Sequence, residues 1–239
     1  MERNLKSLIG NSIEATDGEI GTVQGLYFDD KSWAIRFLVV QTGSWLMERS
    51  VLISPVAFKN IDANESIISV NLTKDQVSNS PDTDTHKTVS RQQETELYEH
   101  YSWQPYWGSG FYAGGLWGIM PRTPLFDKRI TEDSTEDNKN TAIKNNDLHL
   151  RSSAQITGYY IQANDGEVGH VNDFIIDDKS WKILYFIIDT HNWIGGKKVL
   201  VEVKNIKDIQ WENGKVILNI TIEAVKDSRL FEESEFSFS

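Results

Sequence analysis

The sequence predicts a mainly β protein: two small, partly open antiparallel β-barrels from an internal duplication, with a short helix and an aromatic segment between them. Three observations predict this. First, Ala15-Thr16-Asp17-Gly18-Glu19-Ile20-Gly21-Thr22-Val23 returns as Ala163-Asn164-Asp165-Gly166-Glu167-Val168-Gly169-His170-Val171, and Asp29-Asp30-Lys31-Ser32-Trp33 returns unchanged as Asp177-Asp178-Lys179-Ser180-Trp181, all at one offset of 148 residues. A gapless register of that length marks two copies of one module. Second, each copy centres on Asp-Gly, a hairpin signal because glycine accepts the positive φ that tight β-turns demand. Third, the stretches after the turns are apolar with the two-residue period of strands rather than the helical one.

In chain order, Leu8 to Ile13 reads as a leading strand, and Asp17-Gly18 turns the chain into a second strand, Gly21 to Phe28. Asp29 to Ser32 is a polar turn, since short Asx and Ser side chains bond to nearby backbone. Trp33 to Gln41 follows, with Ile35, Phe37 and Val39 on one face and Leu38 and Val40 on the other; Ile183, Tyr185 and Ile187 against Leu184, Phe186 and Ile188 repeat the pattern. A strand apolar on both faces needs cover on both sides. The other copy, the middle segment or a second chain can each supply that cover. Ile68, Val70 and Leu72, and later Val216, Leu218 and Ile220, alternate with polar residues as a half-buried strand does, and Thr73 to Val77 and Thr221 to Val225 suggest a short helical turn closing each copy. The positions common to both copies are Asp17, Gly18, Gly21, Trp33 and Trp45 in the first, and Asp165, Gly166, Gly169, Trp181 and Trp193 in the second. Equal placement assigns these tryptophans to the core or the barrel mouth, and the carboxylates to turn geometry.

The order of these motifs resembles the PRC-barrel family. It runs from Asp-Gly-Glu-Ile-Gly-x-Val through Phe-Asp-Asp-x-x-Trp, an aliphatic strand ending Thr-Gly-x-Trp-Leu, and Val-Leu-Ile-Ser-Pro, to Val-Asn-Leu-Thr and Ser80-Pro81. That family is named for the cytoplasmic domain of the photosynthetic reaction centre H subunit and includes the C-terminal domain of a ribosome maturation factor. The resemblance implies a small, partly open antiparallel barrel of about six strands per copy. It also implies an adaptor-like role, with a barrel surface held against partner proteins.

The organisation expected is copy 1 over 1–82, a connecting segment over 83–149, copy 2 over 150–230 and an acidic tail over 231–239. Within the connection, Ser90 and Gln93 have capping-box spacing, and a short helix over about 90–102 follows. Residues 103–120 are rich in aromatic residues and glycine, and 127–147 reads as a flexible polar linker. Tyr106, Trp107, Phe111, Tyr112 and Trp117 are the candidate contact residues. Their rings can close an open barrel edge as a lid, since aromatics carry large buried area. They can also serve a partner or a second copy, since Tyr and Trp dominate interface hot spots, or face a membrane surface or a small ligand. The tail is expected to be disordered, or to act as a docking peptide for a basic partner.

The chain has 239 residues, no cysteine, 39% hydrophobic residues and a formal charge of −11. Without cysteine there is no disulfide, Cys-ligated metal or thiol catalysis. The charge divides as −3 over 1–80, −4 over 81–147 and −4 over 148–239, which opposes nucleic acid at long range. The five histidines form no i, i+3 or i, i+4 pair, and no phosphate loop or nucleophile motif is present. No catalytic residue, metal site or cofactor is therefore assigned. The longest uncharged run, Ser102 to Pro121, is broken by Pro105 and several glycines, and its apolar part, Phe111 to Met120, is about half of the roughly 20 residues a spanning helix needs. The expectation is a cytoplasmic, non-enzymatic interaction or scaffold protein, binding a protein partner or itself as a homo-oligomer, with no nucleic acid and no integral membrane segment. The alternative is a small-molecule-binding protein or enzyme using the cleft between the barrels beneath the aromatic segment.

Overall fold

The structure is a computed structural model, and it describes residues 1–62, 65–81, 89–107, 150–190 and 196–236. In copy 1, β1 (Glu2–Asn4) is followed by β2 (Ser12–Ala15), β3 (Gly18–Asp29), β4 (Ile35–Thr42), β5 (Ser50–Ile53), β6 (Phe58–Asp62), β7 (Ile67–Val70) and helix α1 (Lys74–Ser78). Helix α2 (Arg91–His100) stands in the connection. Copy 2 repeats the order with β8 (Leu150–Ser152), α3 (Ser153–Ile156), β9 (Tyr160–Ala163), β10 (Gly166–Asp177), β11 (Lys182–Asp189), β12 (Lys198–Glu202), β13 (Ile206–Gln210), β14 (Lys215–Leu218) and α4 (Ile222–Lys226), and α5 (Glu233–Phe236) follows it.

Each copy supplies six strands of a seven-stranded sheet, in the orders β5-β4-β3-β2-β7-β6 and β12-β11-β10-β9-β14-β13. The Asp-Gly hairpins join β2 to β3 and β9 to β10. One pair in each sheet departs from the antiparallel expectation: β2 runs parallel to β7, and β9 runs parallel to β14.

The seventh strand of each sheet belongs to the other copy. β1 pairs with β10 of copy 2, and β8 pairs with β3 of copy 1. The exchange is reciprocal and carries an ion pair with it. Arg3 on β1 lies 2.5 Å from Asp178, and Arg151 on β8 lies 2.5 Å from Asp30. These four residues are the same two positions of the module, taken twice. The segment after each exchanged strand also docks across: Lys6 N–H donates to Asp173 and Leu26 N–H donates to the Ser153 hydroxyl. Burial pushes the Asp173 carboxyl up, against the backbone N–H groups of Phe174 and Lys6.

The doubly apolar strands find their cover in two different elements. Register places Tyr27, Phe37, Val39 and Leu52 on the outer face of copy 1. Helix α2 lies there, with Leu97, Tyr98 and Tyr101 buried and the Tyr98 ring edge-on to Phe37 at 6.1 Å. Ser90 and Gln93 cap that helix reciprocally. The equivalent face of copy 2 is Ile175, Tyr185, Ile187 and Leu200. Its cover is the C-terminal segment, so the expectation of a disordered tail is corrected over 231–236. Phe236 is 2% exposed against this face and stacks with Phe231 at 5.7 Å. Residues 229–231 bond to β12 through Leu200 N–H to Arg229 C=O and Phe231 N–H to Lys198 C=O. The composition is acidic, but two phenylalanines five residues apart supply the apolar area that a disordered tail lacks. The 127–147 linker lies outside the described residues.

Candidate functional site

The repeat signature converges on the junction between the copies. Asp29 and Asp177 close Asx-type turns, accepting from the N–H groups of Lys31 and Ser32, and of Lys179 and Ser180. Burial acts to raise the Asp29 carboxyl, but those two N–H groups and Arg36 outweigh it and hold it below the usual range. The Ser180 hydroxyl and neighbouring donors hold Asp177 far below that range. For Asp178, burial is again outweighed, here by the N-terminal ammonium and Arg3, and its pKa is lowered. Asp17 and Asp165 each accept from a helix N-terminal N–H, that of Lys74 and that of Ile222, both at 2.8 Å. These carboxylates therefore hold turns, helix starts and the junction.

The turns set Trp33 and Trp181 in the left-handed region, at φ 59° and 51°. From there each tryptophan reaches across to the other copy. Trp33 stacks on Phe28 at 5.9 Å and meets Phe186 of copy 2 edge-on at 5.7 Å, while Trp181 meets Phe58 of copy 1 at 4.8 Å. Their carbonyls are exchanged as well, with Ile35 N–H donating to Trp181 C=O and Ile183 N–H to Trp33 C=O. Both rings are half-buried at the seam rather than enclosed in one barrel. Trp45, also half-buried, donates its indole N–H to Ile20 C=O at 2.7 Å, and Lys74 lies 4.5 Å from its ring. Trp193 lies outside the described residues.

Gly21 and Gly169 are fixed by close backbone approach. A Cβ on Gly21 would fall 2.0 Å from Gln41 C=O, and one on Gly169 would fall 2.1 Å from Asp189 C=O. Gly18 and Gly166 hold positive φ in the hairpin turns.

Clefts open along the seam among the described residues. One, of about 320 Å³, is lined by Asp30, Lys31, Trp33 and Arg151 on one side and by Ile206, Lys207, Asp208 and Ile209 on the other. A second, of about 540 Å³, is lined by Asp178, Lys179 and Trp181 and by Phe58, Lys59, Asn60 and Ile61, with Pro55 at its margin. These are the same cleft twice: Trp33 corresponds to Trp181, Lys31 to Lys179 and Lys207 to Lys59 at the offset of the duplication. The third has a volume of about 290 Å³. Tyr98, Gln104 and Tyr106 close it against Ser54, Arg36 and Trp181.

Of the aromatic candidates, the structure places Tyr106 and Trp107. Both are half-buried, packed on Tyr98 at 6.1 Å and 5.0 Å. The Tyr106 hydroxyl donates to the buried Glu94 at 2.9 Å, and the Arg36 guanidinium sits 3.3 Å from the centre of its ring. Tyr106 borders the third cleft and Trp107 does not. Phe111, Tyr112 and Trp117 lie outside the described residues. Sequence reasoning missed the four cleft lysines. Lys31 and Lys207 are far apart in the chain, and the one available signal was their recurrence in both copies.

Among the described residues no helix is long and apolar enough to cross a membrane, and no group of three or more His, Asp or Glu is placed to hold a metal ion. No curated protein matches the chain. The profile of the PRC-barrel domain matches it twice, over residues 1–77 and 151–225. With well over half the chain covered in two segments, this protein belongs to the PRC-barrel domain family and carries the domain in tandem.

Proposed function

We propose that the chain is a non-enzymatic interaction or scaffold protein of the cytoplasm, engaging a protein partner or a second copy of itself. The observation that carries the reading is the use made of the shared acidic groups. Asp17, Asp29, Asp30 and their counterparts Asp165, Asp177 and Asp178 each hold a hydrogen bond or ion pair that builds the fold. The polar signature thus serves to build the double barrel, and its seam offers clefts for contact. Light scattering of the purified chain, combined with affinity capture, tests this. The reading expects a mass above the monomer or a stoichiometric partner; a strictly monomeric mass with no retained partner contradicts it.

The third cleft supports a second reading, a small-molecule site at the seam. Tyr106, Gln104, Ser54 and Ser180 converge there beside the Trp181 ring, the mixture of apolar wall and few polar groups that small ligands use. Mass spectrometry of the native chain separates the two readings, because a bound metabolite rather than a protein favours the second.

A further inference from the structure

The twin clefts carry an inference that deepens the interaction reading and rests on it. Each combines a half-buried indole with two exposed lysines, one from each copy: Trp33, Lys31 and Lys207 in the first, Trp181, Lys179 and Lys59 in the second. One wall of each is an end strand, β13 in the first and β6 in the second, paired on one side only among the described residues. Asp30 in the first cleft pairs with Arg151 and Asp178 in the second with Arg3, while Asp208 also lines the first. In a chain of net charge −11, the fold brings two lysines that lie far apart in sequence to the lining of one cleft, and does so twice.

We infer that the twin clefts bind one kind of ligand, an extended acidic peptide segment, at two sites per chain. Three features select it. An end strand accepts an extended chain by strand addition, which gives affinity through main-chain bonds. The indole beside it takes an apolar side chain, and the lysine pair meets carboxylates on the neighbouring side chains. The sites are unequal. Asn60 stands in the Trp181 cleft where Asp208 stands in the Trp33 cleft, so the Trp181 cleft is the less acidic and the tighter.

Titration calorimetry of the full chain with a synthetic nine-residue peptide alternating glutamate with valine and phenylalanine tests this, with a glutamine-for-glutamate peptide as control. The expected result is two sites per chain, weakened by added salt, with the control peptide weaker by about tenfold. Lys59→Glu with Lys179→Glu removes the tighter site, and Lys31→Glu with Lys207→Glu removes the other. All four side chains are exposed, and an unchanged melting temperature verifies that the variants fold. No binding, a single site, or two sites indifferent to all four substitutions would each overturn the inference. Failure here leaves the interaction reading standing if light scattering or capture still finds a partner.

Discussion

Gly21→Ala and Gly169→Ala are each expected to destabilise the protein by about 3 kcal/mol or more, the upper end of overpacking costs. The obstacle in each case is backbone. The new Cβ would lie 2.0 Å from Gln41 C=O or 2.1 Å from Asp189 C=O, and a main-chain carbonyl held in a strand ladder cannot rotate away as a side chain does. Gly169 also holds φ 119°, where an L side chain is strained. Moving β3 off β4, or β10 off β11, would disturb the central pairing of a barrel. Gly25→Ala is the internal control, since among the described residues its Cβ would meet only the Ser153 hydroxyl, at 3.3 Å. Chemical denaturation of the three variants checks the ranking, and equal stability of Gly21→Ala and Gly25→Ala would contradict it.

Trp33→Ala and Trp181→Ala are expected to cost about 3–5 kcal/mol each, the range for losing a large packed aromatic. Neither ring serves only its own barrel. Trp33 joins Phe28 to Phe186, and Trp181 covers Phe58. Each loss therefore loosens the junction as well as removing apolar area, and the denaturation transition should broaden as the copies uncouple. A loss under about 0.5 kcal/mol, typical of surface substitutions, would show that the rings do not hold the seam.

The barrels were legible in the sequence because their signals are local. Asp17-Gly18 and Asp165-Gly166 announce hairpins, and the apolar faces of 33–41 and 181–188 announce strands in need of cover. The cover itself was legible only in part. Leu97, Tyr98 and Tyr101 have helical spacing, whereas Phe231 and Phe236 sit among glutamate and serine whose composition suggests disorder. The strand exchange left almost no trace. Glu2-Arg3-Asn4 and Leu150-Arg151-Ser152 are short and polar, without alternation, and their strand state comes from a tertiary partner rather than from propensity. The recurrence of arginine at 3 and 151 was the one available sign. The clefts were hidden for a related reason. Charge summed by segment is negative everywhere, while the fold brings Lys31 and Lys207 to one cleft of the seam and Lys179 and Lys59 to another.

The reciprocal exchange is the basis of the whole account, since it fixes the seam, the tryptophans and the twin clefts in one body. Fragment complementation tests it most directly. Residues 1–107 and 150–239, produced separately, each lack the strand that completes their own sheet. The account predicts that neither forms a stable folded monomer alone, and that mixing them restores strand circular dichroism in a one-to-one complex. Two fragments that fold alone as stable monomers and stay apart when mixed would contradict it.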